Sequence, residues 1–174
     1  EFTLDVFQAG AGTPFNMNAN EILANRTNEI LGGKKGQYSP IHPNNHVNAG
    51  QSSNDVIPTA TRIAALFALK ELLPEMAKLE KSLSKKAKEF GKIKKVGRTH
   101  LQDAVPITLG QEFLAYAAYI KRNLNRIKAS SEELKELGIG GTAVGTGINA
   151  HAKFAAQIIK NLSKLCGFKF KESK

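Results

Sequence analysis

Residues 53–90 read as one helix, and that length constrains the fold more than any other feature. In the text SNDVIPTATRIAALFALKELLPEMAKLEKSLSKKAKEF, apolar residues stand at Ile63, Leu66, Phe67, Leu69, Leu72, Leu73, Met76, Leu79 and Leu83. Most are three or four apart, the spacing of one helical face. Pro58 fits a first helical turn. Pro74 is interior, where a proline bends the helix or removes one hydrogen bond. A second run of the same kind extends from about Thr108 to Leu137, with Leu109, Phe113, Leu114, Ala117, Ile120, Leu124, Ile127 and Leu134 as its apolar set. Helices of this length, well beyond the usual three turns or so, need partners along their whole course. A chain of 174 residues supplies few, so self-association is expected. The fold class is therefore all-α, a bundle of long helices.

The remaining text connects these helices. Residues 1–16 form a Gly-rich, irregular N-terminal segment. A shorter helix is expected in NANEILANRTNEILGG, with Ile22, Leu23, Ile30 and Leu31 as its apolar residues and Gly32-Gly33 as a stop. Residues 34–50 carry two prolines and two glycines and read as loop. GKIKKVGRTHLQDAVP reads as a connector. GIGGTAVGTGIN holds five glycines in twelve residues, and a final helix spans about 150–165 and ends at Gly167. No run of about 18 apolar residues exists, so no membrane span is expected. The opening text EFTLDVFQAG lacks the basic and apolar regions of a signal peptide. The lone cysteine, Cys166, allows no internal disulfide, which suits a reducing, cytoplasmic compartment; by itself it reads as a small apolar core residue. The net charge of +10 is compatible with nucleic acid, anionic lipid or small anionic substrates. With no Trp and aromatics at only 7%, a stacking platform for single strands is not expected.

Four polar clusters lie where a loop meets a helix start: GAGTPFNMN, HPNNHVNAGQSSND, GRTHLQDAVP and GGTAVGTGIN. A helix N-terminus offers unpaired N–H groups and a positive dipole end, and short Ser, Thr and Asn side chains add neutral donors. QSSND then has two readings: an ordinary N-cap for the long helix, or a donor set for a small carboxylate. RTH likewise is either a connector with a surface histidine or part of a site. His42 and His46 are four apart, but Pro43 argues against a helix and no Cys or acidic ligand stands nearby, so no metal is expected. The glycine-rich text lacks the Lys-Ser/Thr of a phosphate loop, and no G-x-S-x-G nucleophile elbow is present.

Taken in order, GAGT with NMNANE, HPNNHVNAGQSSNDVIPTA, GRTHLQDAVPITLGQEF and GGTAVGTGIN resemble the fumarase/aspartase superfamily over essentially all 174 residues. The resemblance implies that 1–50 ends an N-terminal domain and that 51–174 begins a central helical bundle shared by four subunits, each active site drawing on three chains. It implies an anti-elimination that forms fumarate from a small dicarboxylate, with no metal or organic cofactor and no nucleic-acid partner. A carbanion forms after loss of a Cβ proton, and fixed donors stabilise it. By position, Thr13, Ser52, Ser53, Asn54, Thr99 and His100 resemble the family's substrate-site residues. His100 would orient substrate or assist proton transfer. His42, Asn44 and Asn45 resemble a secondary anion site, with two departures: Asn45 where the family usually has Asp, and Ser39 where it has a basic residue. The family's catalytic Ser lies on a later Gly-Ser-Ser loop that these 174 residues do not contain, so this central piece is expected to be inactive alone. GAGT, KGQY and RTHLQDAVP lean towards aspartate ammonia-lyase chemistry, the leading expectation. Ser53 leans towards class II fumarate hydratase chemistry, because aspartases usually have Thr there. A non-catalytic basic helical module would explain the charge and the helices, but not Ser/Thr/Asn-rich text at three separate helix heads.

Overall fold

The computed structural model describes residues 3–173. In chain order it places helix α1 at Thr13–Ile30, a π-turn at Pro43–Val47, helix α2 at Ser53–Glu89, strand β1 at Lys94–Thr99, strand β2 at Gln102–Thr108, helix α3 at Leu109–Ser131, strand β3 at Glu136–Leu137, helix α4 at Phe154–Cys166 and strand β4 at Lys171–Glu172. The fold is helical, as the sequence predicts, with short strands at its connections. Among the described residues no helix is long and apolar enough to cross a membrane. The chain divides into two compact units, Glu1–Ala64 with Lys135–Lys174, and Ala65–Leu134.

The unit over 65–134 departs from the sequence reading at its centre. Residues 91–106, expected to be a plain connector, hold most of an antiparallel hairpin in which Lys94 pairs with Thr108 and Thr99 with Gln102. The two turn residues, His100 and Leu101, have φ of 48° and 61°. Two successive left-handed residues make the tight turn whose twist matches that of paired strands. Gly97 sits at an irregularity between Val96 and Arg98, where a Cβ would lie 2.7 Å from the Val105 carbonyl oxygen.

Thr108 ends β2 and caps α3. Its hydroxyl accepts from the Gln111 N–H at 3.1 Å, and the Gln111 side chain accepts from the Thr108 N–H at 2.8 Å, the reciprocal pairing that satisfies two orphan donors. The head of α3 lies against the end of α2. Gly110 donates to the Phe90 carbonyl at 3.0 Å, and a Cβ there would fall 2.5 Å from the Ala87 carbonyl oxygen. Phe90 and Phe113 meet edge to face at 5.2 Å. The helix expected to reach Leu137 ends at Ser131, followed by a short 3-10 turn at Glu133–Lys135. Leu66, Ala87, Ala117 and Leu124 are buried, whereas Phe67, Leu72, Leu79, Leu114, Tyr116 and Tyr119 remain exposed.

One ion pair fastens this hairpin to α3. Lys95 Nζ lies 2.5 Å from Glu112 Oε2, and the Tyr116 hydroxyl donates to Glu112 Oε1 at 2.9 Å. The Lys95 hydrogen bond, then that of Tyr116, holds the Glu112 carboxyl below its ordinary 4.5, and the same Glu112 bond raises the Tyr116 phenol. A carboxyl lowered in the folded state contributes stability in full above its unfolded value and loses it as pH falls through the folded value. Acid titration below pH ~4.5 is therefore expected to loosen the β1–α3 fastening, and Glu112→Gln to remove the acid dependence. NMR shifts of Lys95 and Tyr116 across the titration measure this. The effect is small and weakens in salt, because both partners are about a third exposed.

The other unit corrects the reading of α1. Leu23, Ile30 and Leu31 are exposed, at 55%, 71% and 59%. The residues that α1 buries are Asn16, Asn20, Ala24 and Asn28, each four from the next. Their partner is backbone and amide rather than an apolar surface. Asn28 donates to the Ile41 carbonyl and accepts from the Ile41 N–H, both at 2.8 Å. The Asn16 and Asn20 amides donate to the Asn48 side-chain oxygen at 3.2 and 3.0 Å. The segment read as loop over 34–50 is thus strapped along α1 and contains the π-turn. Leu137, Ile139, Ile159 and Phe170 are also buried in this unit. β3 and β4 pair in parallel, Glu136 opposite Lys171. α4 begins at Phe154, later than expected, and ends as predicted at Gly167, which has φ 71°. Cys166 is partly exposed and not a core residue.

Candidate functional site

The heads of α1 and α2 meet in the first unit. Gly12, just before α1, has φ 78°, and a Cβ there would lie 2.7 Å from the Ile57 side chain. Only glycine combines that backbone with so close an approach. The approach sets Thr13 beside Ser53, their hydroxyl oxygens 3.2 Å apart. Ser52 is the residue before α2 and its hydroxyl accepts from the Asn54 N–H at 3.1 Å. Of the two readings open for QSSND, capping therefore holds for Ser52. It does not exhaust the cluster, because Thr13 and Asn54 are exposed and Ser53 is partly so.

Asn54 is oriented from a distance in the chain. Its amide donates to the Ala143 carbonyl at 3.1 Å, which belongs to the glycine-rich text. Asp55 joins the same two pieces and was not singled out from the sequence. It is 4% exposed. One carboxylate oxygen accepts from the Ser52 N–H at 3.0 Å, and the other from the N–H groups of Gly140 and Thr142 at 3.1 and 2.8 Å. The available signal was spacing: an acidic residue three after Ser52 fits the reciprocal cap at a helix head. Thr142 is buried, with φ 58° and a hydroxyl oxygen that finds no partner. The loop therefore reaches the head of α2 through backbone groups, which residue types alone do not reveal.

Thr99 and His100 stand together in the other unit, at the tip of the hairpin, both exposed. His42, Asn44 and Asn45 form the start of the π-turn. His42 Nδ1 accepts from the N–H groups of Asn44 and Asn45 at 3.1 and 3.4 Å, and His46 Nδ1 accepts from the His42 N–H at 2.9 Å. With Nδ1 accepting, Nε2 carries the proton in a neutral ring and can donate outward. The first unit thus gathers Thr13, Ser52, Ser53 and Asn54 at two helix heads. Uncharged hydroxyl and amide donors of short reach, beside a positive helix end, can hold carboxylate oxygens.

A fold of long helices with such donors at their heads defines a class, and comparison with known proteins gives the family. The lyase family's model matches residues 1–174, and the chain belongs to that family, within the fumarase/aspartase superfamily. It is 52% identical over 171 residues to the class II fumarate hydratase of Nitrosomonas europaea, covering 98% of this chain and 37% of that protein. It is 50% identical over 167 residues to the aspartate ammonia-lyase of Bacillus subtilis, covering 96% and 35%. The crystal structure of the fumarate lyase:delta crystallin from Brucella melitensis superimposes with a TM-score of 0.90 at 47% identity, covering 98% of this chain and 37% of that one. The chain thus spans little more than a third of the relatives it matches.

Proposed function

We propose that the enzyme containing this chain is a fumarate-forming lyase acting by anti-elimination on a small dicarboxylate, with L-aspartate as substrate and ammonia as the leaving group. The pairing of the two helix heads carries this reading. Thr13, Ser53 and Asn54 stand as fixed neutral donors where a substrate carboxylate and its developing negative charge would need them. Donors fixed before reaction need no reorganisation when the Cβ proton leaves. Ser52 contributes a hydroxyl already fixed by its cap; Thr99 and His100, drawn from another subunit, would add a hydroxyl and a group that orients substrate or assists proton transfer. Residues 1–50 would end one domain and 51–174 begin the bundle. The exposed Leu72, Leu79, Leu114 and Tyr119 support subunit packing in a tetramer. His42, Asn44 and Asn45 would form a secondary anion site.

Malate dehydration is the second reading, favoured by Ser53 and by relatives of both names at similar identity. Absorbance in the fumarate band decides between them, with L-aspartate and L-malate supplied in turn to the full-length enzyme. Fumarate and ammonia from aspartate are expected. Fumarate from malate alone makes the enzyme a hydratase, and fumarate from neither sinks both readings. The 174 residues by themselves are expected to give no turnover.

A further inference from the structure

Among the described residues Asp55 is the only charged side chain that is buried. Its carboxylate accepts three backbone N–H groups and is 4% exposed. So enclosed, it is not a group that touches a substrate. Two of its donors come from residues 85 and 87 positions away in the chain, and both sit on left-handed backbone, Gly140 at φ 95° and Thr142 at 58°. Between them and just beyond, the loop is held so that the Ala143 carbonyl accepts from the Asn54 amide. A primary amide fixed through one N–H keeps its plane, leaving its oxygen and second N–H in defined directions. Thr13 and Ser53 are aligned by the meeting of the helix heads; Asn54 is aligned by the loop.

We infer that Asp55 is a positioning residue: it ties loop 140–143 to the head of α2 so that the Ala143 carbonyl sets the direction of the Asn54 carboxamide towards substrate. This rests on the lyase reading for the word substrate, though not for the tie itself. Its chemical content is that Asp55 acts through Asn54. A merely structural carboxylate would lower stability without any special relation to Asn54.

The test uses the full-length enzyme with Asp55→Asn, Asn54→Ala and the double variant. The Asp55→Asn amide keeps the shape but turns an NH2 towards backbone donors, so one end of the tie is lost. Asp55→Asn is expected to lower kcat/KM at least about tenfold, through kcat as well as KM, and the double variant to match Asn54→Ala alone within about threefold. Amide hydrogens of Gly140 and Thr142 are expected to exchange at least about tenfold faster in Asp55→Asn, with the Asn54 side-chain amide resonances shifted. Multiplicative effects in the double variant overturn the inference, as does an unchanged kcat/KM. If Asp55→Asn does not fold, Asp55→Glu, which keeps the charge and displaces the acceptor, carries the same expectations; failure of both to fold makes the role structural and overturns the proposal. A wild-type enzyme that forms no fumarate sinks the lyase reading alone. Exchange at Gly140 and Thr142, with the Asn54 resonances, then decides the tie: shifts in Asp55→Asn support it and unchanged spectra overturn it.

Discussion

Replacing Asn28 with leucine is expected to destabilise the unit that contains it by about 2–5 kcal/mol, seen as a lower urea midpoint at unchanged slope. The side chain is 0% exposed, and both ends of its amide are bonded to Ile41, one donating and one accepting, at 2.8 Å each. The leucine keeps the branching but is larger and offers neither group, so overpacking adds to the loss. Ile41 keeps an N–H and a carbonyl in a part-buried place with no partner, and each such group costs roughly 1–3 kcal/mol. The extra apolar burial, two methyl groups where the amide stood, gains roughly 2 kcal/mol and offsets only part of this, since two desolvated groups remain. Asn28→Asp keeps the acceptor but sets a carboxylate oxygen against the Ile41 carbonyl in a buried place, so it should lose at least as much as leucine. A loss under about 1 kcal/mol for leucine would show that the strap is held by something other than this amide.

Gly140→Ala is expected to cost about 2–5 kcal/mol and to weaken substrate binding with it. Two penalties of the same sign meet there. The residue has φ 95°, where an L side chain is strained by roughly 1–2 kcal/mol. The new Cβ would stand 2.5 Å from the Ala155 Cβ and 2.7 Å from its Cα, and overpacking of this kind typically costs about 1–3 kcal/mol. A methyl attached to α4 cannot swing aside as a flexible side chain would, so the loop must move, and Gly140 carries one of the N–H groups on Asp55. Thermal unfolding together with KM would check this. A stable variant with normal KM would mean that the loop can shift without disturbing Asn54.

The long helices were legible because their apolar spacing persists over many turns, where no other element competes. Gly167 was legible as a stop for the same local reason, since a left-handed residue ends a helix wherever it occurs. The face of α1 was not. Periodicity searches follow apolar residues, and Ile22, Leu23, Ile30 and Leu31 met that search. What α1 covers is a strap whose backbone must be satisfied, so the buried stripe is asparagine at the same four-residue spacing. The hairpin hid for another reason. Its turn lacks the Asn-Gly that marks two left-handed residues, and Pro106 within β2 argues against a strand. Pro106 is tolerated because a two-stranded ribbon is all edge. In the site, Thr13, Ser52, Ser53 and Asn54 were readable as residue types at helix heads. Asp55 was readable only as an acidic residue three after Ser52; its tie to the backbone N–H groups of Gly140 and Thr142, more than eighty residues on, was not.

The unit with Thr13, Ser53 and Asn54 is made of two chain segments, and the other unit is the contiguous stretch between them. On a ribosome that arrangement imposes a schedule. The contacts internal to residues 65–134 become available once that stretch emerges, and contacts close in sequence form early. The head of α2 leaves first but cannot be finished, because Asp55 waits for Gly140 and Thr142. A buried carboxylate stays in water until those residues are synthesised. The part of the chain that gathers the small polar donors is thus begun early in translation and completed late.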